Sequence, residues 1–127
     1  FYGSDRDQGA IAMSQANAKR AGVDDICTFQ RAAISDAAAP ESVSNSAKNG
    51  IVILNPPYGG RIGDRKMLFS LYGAMGQTLT QNFRGWRVGI ITNDAGLAKA
   101  TGLTFKSTAP PISHGGIKVC LYETGPL

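Results

Sequence analysis

Apolar residues along this chain follow two spacings, one typical of strands and one typical of helices. The run Ile51–Leu54 is continuous and mostly β-branched, which predicts a strand buried on both faces of a parallel sheet. Between Leu68 and Leu79 apolar side chains recur at intervals of three and four, so we expect a helix of about 16–20 residues with one face on the sheet. The same spacing runs from Ala10 to a closing Gly22. Further strands are predicted at residues 2–4, 26–30, 86–92, 103–107 and 117–123, and a short helix at 94–101.

This alternation of strands and helices predicts a mostly parallel α/β sheet, wound on both faces, whose last two strands form an antiparallel hairpin. Such open sheets bind ligands beyond the carboxyl ends of their strands. Two distinctive segments are expected there: the charged residues 5–7 after the first strand, and residues 55–58 after Ile51–Leu54. We therefore expect them to be two halves of one site.

Composition limits the class of protein. The chain has 127 residues, a formal charge of +4 and a pI near 9.3, which fits one domain and favours a polyanionic partner. No apolar run approaches the roughly 20 residues of a membrane span. Cys27 and Cys120 lie far apart in apolar stretches, as expected of reduced core thiols, so we predict a cytoplasmic location and assign no residue to a metal site.

The segment Asn55, Pro56, Pro57, Tyr58, called the 55–58 loop below, carries the clearest chemistry. An exocyclic amine on a nucleic-acid base is a poor nucleophile, and its nitrogen gains positive charge as it accepts a methyl group. The Asn55 carboxamide oxygen and the Pro56 carbonyl can each accept one N–H bond, and both bonds strengthen as that charge develops. Proline stiffens the loop, and Tyr58 offers a ring face on which a base can stack. We predict that these four residues are catalytic.

Together with Gly59 and the following Arg61, Ile62 and Gly63, the 55–58 loop resembles motif IV of the class I amino-methyltransferases. The likeness is greatest to the THUMP-associated RNA methyltransferases, which include the bacterial 23S rRNA guanine-N2 enzymes. Other segments that resemble this family are residues 3–7, 17–23, 71–73, 83–87 and 114–117. The resemblance implies a Rossmann-like class I methyltransferase sheet, S-adenosylmethionine as cofactor, RNA as partner with rRNA favoured over tRNA, and an RNA-binding module upstream.

The resemblance also assigns cofactor residues. It implies that Asp5, at the tip of the family's second strand, accepts hydrogen bonds from the ribose hydroxyls. Asp7 is better explained as a helix N-cap. Where the family commonly has an aspartate for the adenine amine, this chain has Ala33, so the backbone at Ile34 is expected to serve instead. Asn55 is assigned to the cofactor site as well as to the catalytic one.

Because the chain begins at the strand that resembles the family's second, we expect residues 1–127 to be one partial catalytic domain without the first strand and its Gly-rich loop. That strand would lie between the strand at residues 2–4 and Ile51–Leu54. The sheet is therefore expected to be split there, and the fragment alone to be inactive.

Several functions remain open on this sequence. Methylation of guanine N2 in ribosomal RNA is favoured over adenine N6. A protein-glutamine N-methyltransferase would use the same four residues, since its planar amide poses the same chemical problem. A non-catalytic RNA-binding remnant is the alternative outside the enzymes.

Overall fold

A computed structural model describes residues 1–40, 49–58 and 65–127 of the chain. The chain falls into two units, Phe1–Ala37 and Ala38–Leu127. The motif residues Gly59, Arg61, Ile62 and Gly63 lie outside the described part.

The first unit is a strand, helix and strand in which both strands run parallel. Strand β1 (Tyr2–Asp5) pairs with β2 (Thr28–Arg31), in a register from Tyr2 opposite Thr28 to Asp5 opposite Arg31. Helix α1 (Gln8–Ala21) connects them, and short 3-10 helices at Asp24–Ile26 and Ile34–Asp36 flank β2.

The caps of α1 explain where this helix begins and ends. The Asp7 carboxylate accepts the Gly9 N–H at 2.7 Å, which confirms the predicted N-cap. At the other end Gly22 has a φ of 68°, in the left-handed region that favours glycine. Local chemistry thus determines both ends of α1.

In its described residues, 49–58 and 65–127, the second unit is a five-stranded mixed sheet with two helices. Its elements are β3 (Ile51–Leu54), α2 (Arg65–Asn82), β4 (Arg87–Thr92), α3 (Ala95–Ala100), β5 (Phe105–Thr108), β6 (Ile112–His114) and β7 (Ile117–Thr124). The strand order is β3-β4-β7-β5, with β6 also paired to β7. Strands β3 and β4 are parallel, whereas β7 runs antiparallel to β4, β5 and β6. The predicted mixed α/β sheet is confirmed.

Helix α2 shows the predicted stripe, since its buried residues Leu68, Tyr72, Met75 and Leu79 follow helical spacing. Gly76 lies on the same stripe, and a Cβ there would lie 1.8 Å from the Thr101 carbonyl oxygen at the end of α3. The two helices therefore approach each other closely at this glycine.

The C-terminal strands differ from the prediction in one respect. The two predicted strands do pair antiparallel, as β5 and β7. The tight turn lies at residues 114–117, the segment that resembles the family's closing hairpin turn, but it joins β7 to β6, a strand that was not predicted. Gly115 and Gly116 have φ values of 57° and 81°, and two consecutive positive φ angles are what a two-residue hairpin turn requires. Strand β6 is only three residues long, with all three exposed, so it has no apolar pattern to find.

The burial predicted for Ile51–Leu54 was wrong. Ile51 and Ile53 are 55% and 60% exposed, while Val52 and Leu54 are half-buried. Alternate residues of a strand point to opposite faces, so only one face of β3 is partly covered. Across the described ranges β3 pairs only with β4, and β1 and β2 form a separate sheet. The predicted split of the sheet is therefore confirmed.

Candidate functional site

The 55–58 loop follows β3 directly, and its side chains differ in exposure. Asn55 is exposed, Pro56 and Pro57 are half-buried, and Tyr58 is 4% exposed. Because β3 and β4 are parallel, the carboxyl ends of both strands lie at the same edge of the sheet. Residues that follow Thr92, the last residue of β4, are therefore neighbours of the loop.

A buried tyrosine from α2 holds the loop. The Tyr72 hydroxyl donates a hydrogen bond to the Pro57 carbonyl oxygen at 3.3 Å, and Tyr72 is fully buried. Burial raises the pKa of Tyr72, the nearby Asp94 and Tyr58 raise it further, and a hydrogen bond from Thr92 lowers it. The phenol therefore stays protonated and keeps its proton for the Pro57 carbonyl.

The end of β4 continues this set of contacts. The Thr92 hydroxyl oxygen accepts the Asp94 N–H at 3.2 Å, and Thr92 is fully buried. The Asp94 carboxylate caps α3 by accepting the N–H groups of Gly96 at 2.7 Å and Leu97 at 3.3 Å. Thr92 thus lies between the cap of α3 and the tyrosine that holds the loop.

Asp94 also forms an ion pair with Arg65, the first residue of α2, at 3.4 Å. The Arg65 side chain is 75% exposed, and its guanidinium lies 5.6 Å from the centre of the Phe69 ring. Exposed pairs of this kind contribute about 0–1 kcal/mol. Capping of α3 is therefore the main structural role of Asp94.

Tyr58 differs from what the sequence analysis expected. An accessible ring face was predicted, but the ring is buried and close enough to Tyr72 to influence the pKa of Tyr72. In this conformation no face of the ring is open to a base. The catalytic role of Tyr58 stays a prediction.

The predicted cofactor residues of the first unit share one edge of the β1–β2 sheet. Asp5 ends β1 opposite Arg31, and the Ala32 N–H donates to the Asp5 carbonyl oxygen at 3.0 Å. Ile34 begins the 3-10 helix two residues further on. One carboxylate oxygen of Asp5 accepts the Asp7 N–H at 2.8 Å, which fixes the side chain of this exposed residue.

The residue types of the 55–58 loop thus marked it as a candidate in the sequence, whereas nothing in the sequence marked Tyr72 and Thr92 as its support. Tyr72 looked like one more apolar member of the α2 stripe, and Thr92 like the last residue of a strand. Only the hydrogen bond from the Tyr72 hydroxyl to the Pro57 carbonyl oxygen distinguishes Tyr72 from an ordinary core residue. In the described ranges no group of His, Cys, Asp or Glu side chains has the geometry of a metal site, and no helix is long and apolar enough to cross a membrane.

The chain is similar to known proteins in both sequence and structure. The large-subunit ribosomal RNA methyltransferase K/L of Chromohalobacter salexigens is 38% identical over 103 residues, which is 81% of this chain and 14% of that protein. The chain therefore spans about a seventh of that relative's length.

Two solved structures are similar over nearly the whole chain. SMU.472, named as a candidate methyltransferase and solved in complex with SAH, has a TM-score of 0.86 and 28% identity, and the match covers 100% of this chain and 32% of that one. A protein from Listeria monocytogenes, named as a predicted N6-adenine-specific DNA methylase, has a TM-score of 0.74 and 26% identity, with 98% and 30% covered. Residues 1–121 match the family described as RMKL-like, methyltransferase domain, and the chain belongs to that family.

Proposed function

We propose that this chain is part of the catalytic domain of an S-adenosylmethionine-dependent methyltransferase that modifies guanine N2 in ribosomal RNA. The observation that carries the proposal is the 55–58 loop, at the carboxyl end of β3 and beside the end of β4, in a chain of the RMKL-like methyltransferase family. The name of the relative from Chromohalobacter salexigens supports a large-subunit rRNA substrate.

Asp5, Ile34 and Asn55 are the residues proposed to hold the cofactor, and the SAH complex of SMU.472 supports its identity. Asp5 fits a ribose diol because its carboxylate is exposed, lies at the end of β1 and uses only one oxygen for the Asp7 N–H. The backbone at Ile34 follows β2 at the same edge of that sheet. When bound, the cofactor supplies an electrophilic methyl group.

The residues of the 55–58 loop act on the amine. The Asn55 side-chain oxygen and the Pro56 carbonyl each accept one amine N–H, which orients the nitrogen lone pair toward the methyl group. Both bonds strengthen as the nitrogen becomes positive, so they favour the transition state over the ground state. Tyr58 is proposed to stack on the base once its ring turns outward.

The partner is proposed to be ribosomal RNA rather than tRNA, bound together with an RNA-binding module elsewhere in the full-length protein. The net charge of +4 supports a polyanionic substrate. A cytoplasmic location agrees with such a substrate. Residues 1–127 are taken as part of one catalytic domain, so every experiment below uses the full-length protein.

Adenine N6 is the second candidate, because the same acceptors would serve that amine and the Listeria monocytogenes protein is named for it. To separate the two, the full-length protein is incubated with methyl-labelled S-adenosylmethionine and large-subunit rRNA, and the RNA is digested to nucleosides. Label in N2-methylguanosine supports the proposal, and label in N6-methyladenosine supports the second candidate. Label in a protein glutamine, or binding of RNA without any label, would replace the proposal with one of the two remaining alternatives.

A further inference from the structure

Tyr72 lies outside the 55–58 loop, yet it makes the hydrogen bond that holds the loop carbonyl of Pro57. Tyr72 and Thr92 are both 0% exposed, so water does not replace either partner.

Proline chemistry leaves one soft dihedral angle in the middle of the loop. The rings of Pro56 and Pro57 set the φ angles of both residues. A following proline restricts ψ of Asn55 and of Pro56. The first backbone angle that neither effect limits is ψ of Pro57, which orients the Pro57 carbonyl and determines where Tyr58 lies relative to Asn55.

The Tyr72 hydroxyl acts on this angle, because it donates to the Pro57 carbonyl oxygen at 3.3 Å. The side chains of Thr92 and Tyr72 also share a hydrogen bond, and the Thr92 hydroxyl oxygen accepts the Asp94 N–H at 3.2 Å. Because the Tyr72 hydroxyl has one proton and donates it to the Pro57 carbonyl, Thr92 is inferred to be the donor of the bond to Tyr72. Hydrogen bonds linked in this way strengthen one another. The last acceptor in this series of hydrogen bonds is the Pro57 carbonyl oxygen.

From this geometry we propose that Tyr72 is a positioning residue of the methyl-transfer reaction, with Thr92 orienting its hydroxyl. Tyr72 sets ψ of Pro57, and so aligns the Asn55 and Pro56 acceptors on one side of that bond with Tyr58 on the other. It touches neither amine nor cofactor. The inference rests on the proposed function, since the alignment matters only if these residues act on an amine.

The first test is Tyr72→Phe in the full-length enzyme, which removes the hydroxyl and keeps the ring. We expect the single-turnover rate of methyl transfer to fall about tenfold, while the Kd for S-adenosylmethionine and the KM for rRNA stay within twofold. Tyr122→Phe is the matched control, because it removes a phenol hydroxyl from the same unit, where the Tyr122 ring packs edge-on against Phe105, and should leave the rate unchanged. A Tyr72→Phe rate within twofold of the parent, or an equal loss in Tyr122→Phe, overturns the inference.

A second pair of variants tests the role of Thr92. Thr92→Val removes the hydroxyl and keeps the shape, and it should slow single-turnover transfer about threefold. Thr92→Ser keeps the hydroxyl, and its rate should stay within twofold of the parent. If Thr92 has only a structural role, both Thr92→Val and Thr92→Ser should have a lower melting temperature while their single-turnover rates stay equal. That result would overturn the inference.

A readout independent of activity separates this inference from the proposed function. Prolines have no N–H, so the Tyr58 amide is the first exchangeable backbone group after Asn55. In Tyr72→Phe, hydrogen exchange at the Tyr58 amide should become faster than in the parent and in Tyr122→Phe. If the parent enzyme transfers no methyl group to RNA but this exchange rises, the proposed function fails and the anchoring of the loop stands. If the parent enzyme is active and the exchange is unchanged, the inference fails alone.

Discussion

Gly76 and Gly73 lie one turn apart on α2 and allow a matched test of how closely α2 and α3 pack. A Cβ at Gly76 would lie 1.8 Å from the Thr101 carbonyl oxygen and 2.6 Å from its carbon. At Gly73 the nearest atom is the Ala100 carbonyl oxygen at 3.7 Å, an ordinary contact. The same substitution to alanine therefore meets a steric clash at Gly76 and an ordinary van der Waals contact at Gly73.

The clash at Gly76 is not relieved by local adjustment, because Thr101 is held in place. Its hydroxyl donates to the Ala98 carbonyl oxygen at 2.7 Å and accepts the Leu103 N–H at 3.1 Å, and Gly102 follows with a φ of 72°. Restoring a distance of 3.0 Å requires the backbones to separate by about 1.2 Å. Overpacking of this kind costs about 1–3 kcal/mol, and the rigid partner places this case at about 3.

Helix propensity acts in the opposite direction and is the same at both positions. Replacing glycine by alanine within a helix stabilises it by about 1 kcal/mol. We therefore expect Gly76→Ala to lower the free energy of unfolding by about 2 kcal/mol and Gly73→Ala to raise it by about 0.5–1 kcal/mol. For a unit of the size of Ala38–Leu127, these changes correspond to melting temperatures roughly 8–16 °C lower and roughly 2–8 °C higher.

Differential scanning calorimetry of the full-length protein and both variants measures the two shifts. The transition that moves in both variants identifies the one that contains α2. Equal stabilisation by the two alanines would show that α2 and α3 do not approach each other at Gly76, and would refute the reasoning from packing.

Three further predictions concern the loop and its support. Asn55→Ala should lower turnover by roughly 10²–10³-fold, as the loss of one aimed polar group does elsewhere. The Kd for S-adenosylmethionine should stay nearly unchanged, because Asp5 and the backbone at Ile34 are proposed to supply most of the cofactor contacts; a near-normal single-turnover rate would show that Asn55 does not orient the amine. Tyr58→Phe should keep most of the rate, whereas Tyr58→Ala should lose rate and about 3–5 kcal/mol of stability, because this buried ring fills space; equal loss of rate in both would mean that the hydroxyl matters. Burial raises the pKa of Tyr72, so the unfolded chain ionises this phenol first as pH rises, and the free energy of unfolding falls above pH about 10, the ordinary pKa of tyrosine. In urea-unfolding titrations between about pH 9 and about pH 11, the free energy of unfolding of Tyr72→Phe should fall less steeply than that of the parent. Identical slopes would contradict the raised pKa.

Much of the fold could be predicted because the relevant signals are local. The caps of α1 at Asp7 and Gly22 involve residues within a few positions of each other, and the stripe of α2 is a spacing within one helix. Strand β6 could not be predicted in this way. Its three residues are all exposed, and it exists because β7 provides a partner and Gly115 and Gly116 turn the chain.

The candidate site likewise has one part that local sequence predicts and one part that it does not. The 55–58 loop is a continuous segment whose residue types match a chemical need, so it could be found in the sequence. Tyr72 and Thr92 come from separate elements, and each has an ordinary explanation as a core residue or a strand end. The role proposed for Tyr72 depends on the 3.3 Å distance between its hydroxyl and the Pro57 carbonyl oxygen. No pattern within one segment encodes a distance between two segments.

Tyr58 is buried in the structure, whereas the proposed chemistry needs its ring exposed to stack on a base. The free-energy cost of exposing the ring can be compared with the gain from stacking. Moving a buried ring of this size into water costs about 1.5–3 kcal/mol, and stacking a base on it contributes about 1–3 kcal/mol. The two terms nearly cancel, so a bound base can draw the ring outward without a large penalty. The acceptors at Asn55 and Pro56 must stay in place while the ring turns. The proline rings and the bond from Tyr72 to the Pro57 carbonyl act on the backbone before Tyr58, and so they meet that requirement while leaving the Tyr58 side-chain angles free.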